Sequence, residues 1–381
     1  MSVPLLDLNR QNAALHDELA AAFERVLRSG HFILGPEVES LEKECSAFLG
    51  VKHTIAVSSG TDAILVALMA LGIGPGDEVI CPTFTFFATA GCVARVGATP
   101  VFADIDPVTF NLDPADITRR ITPRTKAIIP VHLFGQSAEM DPLLALAKER
   151  GFAVIEDAAQ SFGARNRGRS CGAIGDLGTF SFFPSKNLGG FGDGGLVATN
   201  RDDLAERVRL LRTHGAKPKY YHKMVGGNFR LDALQCALLR VKLPHFPVYC
   251  AARRRNAAAY DAQLGQLPSV ARAGMPAATA ARLVLPVALP QNDPIWNQYT
   301  LRAPGAGRRD ALRQHLVAHG IGCEIYYPVP LHRQECFRHL PRVSLPVAEQ
   351  FADEVLSLPV FPELTEAEHQ EVIAAVRGWS G

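Results

Sequence analysis

Between residues 50 and 200 the chain alternates short β-rich runs with stretches of helical period, and this alternation restricts the possible folds more than any other feature. Residues 54–57 precede a helical pattern over 61–71, and residues 78–81 precede one near 87–96. The runs 100–103 and 127–130 follow, then a helix over 141–150 and a run at 153–156. Residues 179–183 and 195–199 close the series ahead of a helix over 202–212. Strands spaced by helices predict a mostly parallel, covered sheet and so the α/β class. Past Asp232 a long helical stretch reaches Leu243, and a second carries the basic cluster 253–255. Residues 266–310, rich in Ala, Pro and Gly, read as turns and short strands, and a second α/β unit runs to the end.

A chain of 381 residues is long for one domain. The pattern divides it into a large domain over 1–245, N-terminal arm included, and a smaller C-terminal α/β domain over 246–381. Lys+Arg number 39 against 38 Asp+Glu, a net charge of +1, so the basic excess of a nucleic-acid binder is missing. The uncharged stretch 63–74 is far shorter than the roughly 20 residues of a membrane span, and reads as a buried helix. The opening MSVPLLDLNRQ lacks the basic head and long apolar run of a signal peptide. Eight scattered cysteines with no C-x-x-C pair suit reduced thiols in a cytoplasm better than a disulfide frame or a zinc site. These bounds describe a soluble cytoplasmic α/β enzyme with no nucleic-acid or membrane partner.

The first chemical signal is FSFFPSKNLGGFGDGG, residues 180–195, in which a β-rich run ends and Lys186 sits in the loop just after it. Gly190, Gly192 and Gly195 match G-x-G-x-x-G, but a dinucleotide fingerprint must open a helix, and these glycines lead into LVATN, another strand. They serve better as a tight bend around Lys186. A lysine is ordinarily a solvated surface group, so this signal needs a second one. The run AVIEDAAQ, residues 153–160, supplies it: ligands of open α/β sheets meet the carboxyl ends of strands, and Asp157 lies at such an end. Strand alternation turns Glu156 the other way. Lys186 follows Asp157 by 29 residues, room for one loop and one returning strand.

A lysine and an aspartate on neighbouring strand ends are what pyridoxal phosphate (PLP) chemistry requires. The amine forms a Schiff base with the aldehyde, and the carboxylate keeps the pyridine nitrogen protonated. In VSSGTDAI, a strand turns through Ser58, Ser59, Gly60 and Thr61 directly into an apolar helix, whose free N–H groups suit a phosphate. In PTFTFFATA, one of Phe84, Phe86 and Phe87 could cover a face of the ring, while ordinary core packing claims at least one of the three. His315 and His319 stand four apart, but Leu316 follows the first, so H-E-x-x-H is absent and no metal site is expected.

Together with PLLDLNRQ, FILGPEVESLE, GATPVFADID, PVHLFGQ, GGNFRLDALQCALL and YYPVPLH, these stretches span nearly the whole chain. They resemble the DegT/StrS family of fold-type I PLP-dependent nucleotide-sugar aminotransferases. The resemblance implies a large domain with a mostly parallel mixed sheet between helices, plus a smaller C-terminal α/β domain. It implies Lys186 as the Schiff-base lysine, Asp157 on the pyridine nitrogen, and Gln160 on the phenolic oxygen side. Gly60, Thr61 and Ser181 would bind the phosphate, Phe86 would stack on the ring, and Asn228 would reach the phosphate from the other subunit of a homodimer. Retention of Lys186, where a deoxygenating subset carries histidine, favours amino transfer from an amino-acid donor such as glutamate onto a nucleotide-linked keto-sugar. Lys219, Tyr221, Tyr326 and His332 are the candidate substrate contacts, each also readable as an ordinary loop residue. A PLP enzyme acting on a cyclitol ketone, and a regulatory protein that keeps the fold without turnover, are the rival readings.

Overall fold

A computed structural model describes residues 2–275 and 281–380. Its centre is a seven-stranded sheet: β1 (His53–Val57), β2 (Glu78–Pro82), β3 (Thr99–Ala103), β4 (Thr125–Ile128), β5 (Ala153–Asp157), β6 (Leu177–Ser181) and β7 (Gly195–Thr199). The spatial order is β1-β7-β6-β5-β4-β2-β3. Only β7 runs against its neighbours; the pairs β2/β3, β2/β4, β4/β5 and β5/β6 are parallel. The sheet is therefore mostly parallel and mixed at one place, between β1 and β6. Its strands are nearly continuous apolar runs, as expected when helices cover both faces.

The helix Gly60–Ala70 lies in this core with Ala63, Ile64, Leu65, Val66, Ala67 and Leu68 all buried, which explains why its sequence is apolar on every side. Two boundaries differ from the sequence reading in a way that matters. β5 extends one residue further than the sequence reading, to Asp157, and β6 stops at Ser181 rather than continuing through Phe183. Phe182 already donates its N–H back to Gly194 O at 2.8 Å, which closes the loop between two antiparallel neighbours. The high strand propensity of Phe182 and Phe183 is overridden by that turn.

The C-terminal unit has its own four-stranded sheet, β8 (Val270–Arg272), β9 (Leu283–Leu285), β10 (Tyr299–Arg302) and β11 (Val355–Leu358), in that order. Helices Arg308–Ala318 and Glu366–Gly378 pack on it through Leu312, Leu316, Val372, Ile373 and Val376. Helix Phe246–Leu264 joins the two units: Phe246 and Cys250 pack with the large core, whereas Ala257, Tyr260 and Leu264 pack with the C-terminal one. Residues 3–10, grouped by the sequence reading with the large domain, pack against the C-terminal unit. Val3 is buried in its core, Gly322 donates its N–H to Val3 O at 2.8 Å, and Arg10 pairs with Glu368 at 2.6 Å. Among the described residues all eight cysteines are unpaired, six of them buried, and no helix is long and apolar enough to cross a membrane.

Candidate active site

β5 and β6 are hydrogen-bonded neighbours, with Asp157 registered opposite Thr179. One strand ends in the aspartate, and the other leads, through a five-residue step, to Lys186, whose N–H donates to Phe183 O at 2.8 Å. Burial pushes the Lys186 amine down to about 8, against the opposing pull of the Asp157 carboxylate. Burial also pushes the Asp157 carboxyl up, countered by hydrogen bonds from Thr89 and the Ala159 N–H and by the Lys186 charge. The Thr89 hydroxyl reaches Oδ2 at 2.7 Å and the Ala159 N–H reaches Oδ1 at 3.2 Å. Each group thus feels the other's charge at the strand edge, and in each of them burial outweighs that attraction.

Glu156 does face away. It is fully buried and accepts hydrogen bonds from the N–H groups of Gly172 (2.8 Å), Ile174 (2.7 Å) and Gly175 (2.6 Å). Its fourth partner is His132 Nε2 at 2.8 Å. The Ala138 N–H donates to His132 Nδ1 at 3.0 Å, so the ring proton belongs on Nε2 and points at Glu156. This carboxylate fastens the loop before β6; it does not open onto the Lys186 side.

Beside Asp157 and Lys186, Ser59 caps helix Gly60–Ala70 by accepting the Asp62 N–H at 3.0 Å. The N–H groups of Gly60 and Thr61 belong to the first turn, which the helix itself does not use. A Cβ on Gly60 would lie 2.7 Å from Ser181 Cβ, so only glycine lets the last residue of β6 sit against this helix terminus. The result is a cradle of N–H groups and the Thr61 and Ser181 hydroxyls at the positive end of a helix, fit for a phosphate. Gly195 then opens β7 rather than a helix, so the G-x-G-x-x-G match is no nucleotide fingerprint.

The three phenylalanines of the PTFTFFATA stretch divide their work. Phe84 is fully buried against Phe110 and Tyr327, and Phe87 stacks on Phe337 at 5.7 Å. Phe86 is left 57% exposed, its ring 6.5 Å from that of Tyr327. Gln160 is oriented from both ends: Oε1 accepts the Phe134 N–H at 2.7 Å, and Nε2 donates to the Tyr327 hydroxyl at 3.1 Å. Burial raises the Tyr327 hydroxyl, which therefore stays protonated across the working pH range.

The candidate substrate residues fall in two places. Lys219 and Tyr221 are exposed on the loop after the turn at His214, Tyr221 by 71%, and the Lys219 ammonium lies 4.9 Å from the Tyr220 ring. Tyr326 is half-buried, its ring 5.8 Å from Tyr327. His332 has both ring nitrogens engaged, Nδ1 with Thr83 Oγ1 at 2.7 Å and Nε2 with Glu349 Oε1 at 3.1 Å. It pins the C-terminal segment 325–333 to the end of β2. Asn228 is exposed, and among the described residues its amide has no hydrogen-bond partner. The adjacent Phe229 carbonyl accepts the Ser58 N–H at 3.0 Å, which lays this segment along the end of β1. The rings of His315 and His319 lie 4.3 Å apart, tilted by 37°, and use ring nitrogens on backbone carbonyls of Ala375 and His315.

Two residues escaped the sequence reading. Thr89 sits 68 positions from its partner Asp157, inside a stretch in which only the aromatic residues had been weighed. Tyr327, 167 positions from Gln160, is the member of the Tyr326–Tyr327 pair that hydrogen-bonds Gln160.

A lysine within reach of an aspartate's charge at the carboxyl edge of a mixed α/β sheet, next to a helix-terminus cradle, matches the aminotransferase class built on this fold. The model of the DegT/DnrJ/EryC1/StrS aminotransferase family matches residues 13–377, and the chain belongs to that family. It is 48% identical over 378 residues to a Geobacillus stearothermophilus protein named a pleiotropic regulatory protein, covering 99% of this chain and 98% of the other. It is 45% identical to the UDP-N-acetyl-3-dehydro-alpha-D-glucosamine 3-aminotransferase of Acidithiobacillus ferrooxidans, covering 99% and 97%. Its fold superposes on Streptomyces venezuelae DesV, solved in complex with a ketimine intermediate, with a TM-score of 0.93 at 45% identity and coverage of 99% and 98%.

Proposed function

We propose that this aminotransferase works with PLP, takes its amino group from an amino-acid donor, glutamate first among them, and delivers it to a keto carbon of a nucleotide-linked sugar. The observation that carries the reading is the Lys186–Asp157 opposition beside the Gly60–Ser181 cradle. Lys186 would hold the cofactor covalently; Gly60, Thr61 and Ser181 would hold its phosphate, Phe86 one ring face, and Gln160 the phenolic oxygen side. Bound there, PLP would supply an aldehyde that condenses with amines and a ring that accepts the electron pair left by a broken Cα–H bond.

The chain's own part is to manage protons and water. An amine that titrates near 8 is uncharged in a useful fraction at neutral pH, so Lys186 Nζ can attack a carbonyl and later take a proton from the donor Cα. Asp157 would meet the ring nitrogen, and the Thr89 hydroxyl, bonded to Oδ2, favours its charged form against burial. Gln160, fixed by Phe134 and Tyr327, would keep its amide oriented toward the phenolic oxygen side. The second half-reaction uses the same groups in reverse order on the keto-sugar.

We take the chain as a large domain over 1–245, whose residues 3–10 reach across to the C-terminal unit, and a smaller one over 246–381, with these groups on the large side and Tyr326, Tyr327 and His332 on the smaller. We assign Asn228 to the phosphate of the other subunit in a homodimer, because its amide is exposed and unpartnered among the described residues. Single-turnover spectra with glutamate, followed by mass analysis after adding UDP- and dTDP-linked keto-sugars, test the reading. Amination of a free cyclitol ketone in place of every nucleotide sugar would replace the substrate class. Absence of any donor half-reaction would favour a regulatory protein.

A further inference from the structure

The stretch GGNFRLDALQCALLRVK runs from Asn228 into helix Ala233–Lys242, and two of its side chains have a use that the roles above leave unassigned. The loop that carries Lys186 is tied to the sheet at its neck: Phe182 donates its N–H to Gly194 O, and Gly190 donates its N–H to Phe182 O, each at 2.8 Å. Beyond the neck it folds tightly on itself, since a Cβ on Gly189 would lie 2.8 Å from the Pro184 carbonyl carbon. Lys186 sits inside the lobe that this contact closes.

The outer side of the lobe is held from helix Ala233–Lys242. Gln235 Oε1 accepts the Phe191 N–H at 2.8 Å, and the Lys242 ammonium donates to Gly189 O at 3.0 Å. Gln235 and Lys242 are seven apart, two turns along one face of the helix, so a single rigid element grips the turn at two points. Lys242 is 2% exposed, and its ammonium also lies 4.6 Å from the Phe191 ring centre. Both of those contacts go to the Lys186 loop. Among the described residues it forms no ion pair, and burial pushes its amine down to about 8. A methionine would fill the same space without that desolvation cost, so the packing of the helix alone gives no reason for a lysine here.

We propose that Gln235 and Lys242 are positioning residues that clamp the turn after Lys186 and thereby fix where the Lys186 amine can reach. The inference rests on the reading of Lys186 given above. It adds that the reach of this amine is set from outside the site, by the helix that follows Asn228.

The test uses reconstituted Lys242→Met and Gln235→Leu proteins. Misplacing a reacting group by about 1 Å costs on the order of 100-fold. The clamp therefore predicts that kcat falls between about ten- and a hundred-fold in Lys242→Met, with KM for donor and acceptor within about two-fold of the parent. Amide exchange at Gly190 and Phe191, measured in the cofactor-free protein as well, should accelerate while the thermal midpoint stays within a few degrees. Lys242→Arg should regain most of kcat, because a guanidinium can donate to Gly189 O and lie over Phe191. Gln235→Leu is the milder variant and should show the same pattern at smaller amplitude. A kcat within about two-fold of the parent in both variants overturns the proposal, and so does a fall in kcat with unchanged exchange at these amides. Failure of the Lys186 reading would show separately, as a Lys186→Ala protein that retains a reducible cofactor.

Discussion

Thr89 donates its hydroxyl to Oδ2 of Asp157 across 2.7 Å, from the first turns of the helix after β2 to the end of β5. The bond favours the charged form of a carboxyl that burial pushes up. A charged Asp157 is what the proposed ring-nitrogen contact needs, so Thr89 acts on the chemistry through its neighbour.

Thr89→Val should therefore leave the fold intact and lower turnover by about ten- to a hundred-fold, the worth of a hydrogen bond to a charged group of about 1.5–3 kcal/mol. Retained cofactor with a depressed kcat and little change in KM is the expected result. Parental turnover would leave Asp157 charged by other means.

Asp157→Asn should abolish most turnover yet make the cofactor-free protein more stable at neutral pH. The sign follows from the raised carboxyl: folding favours the neutral acid, so its stabilisation is complete below the unfolded value of about 3.9. That stabilisation is lost as pH rises from there through the folded value, and an asparagine never loses it. Melting curves of parent and variant should converge at acid pH and separate above it.

Much of this site was legible in the residues because its pieces are local. Lys186 after an aromatic strand end, Asp157 at the end of AVIED and the Ser59–Gly60 turn each occupy a single strand-to-loop boundary. What stayed illegible depends on distant packing. Position and propensity alone leave Phe84, Phe86 and Phe87 equivalent. The resemblance names Phe86, and only the packing of Phe87 on Phe337 and of Phe84 on Phe110 gives a physical reason why Phe86 is the one left exposed. The end of β6 was overshot because propensity favours Phe182 and Phe183 as strand, whereas the return of the chain at Gly194 decides otherwise. His332 was singled out for its chemistry, and its two ring contacts to Thr83 and Glu349 come from elements that no spacing connects.

Gly60→Ala tests the cradle. Its methyl would meet Ser181 Cβ at 2.7 Å, an overpacking worth about 1–3 kcal/mol that also pushes the helix terminus off the phosphate position. PLP retention should fall at least ten-fold, and adding Ser181→Gly should relieve the clash and restore part of the stability without restoring the lost hydroxyl. A Gly60→Ala protein with parental stability and retention would remove the cradle from the account.

The shared dimer site makes a prediction about mixtures. Asn228→Ala should weaken PLP retention by about ten-fold or more, the loss of one hydrogen bond to a dianion. Mixing Lys186→Ala chains with Asn228→Ala chains gives heterodimers in which one site carries both lesions and the other neither, so activity should rise on subunit exchange. Exchange confirmed by mass with no gain in activity would put Asn228 in the site of its own subunit, alongside the Ser58–Phe229 contact.

The central claim is that Lys186 carries the cofactor, and borohydride reduction followed by peptide mass mapping tests it most directly. Two lysines, Lys186 and Lys242, have amines pushed down to about 8, so the measurement discriminates between real competitors. The account predicts a yellow protein whose reduced adduct lies on the peptide containing Lys186, formed faster as pH rises through about 8, and absent from Lys186→Ala. An adduct on Lys242 or any other lysine, or one that survives in Lys186→Ala, would contradict it.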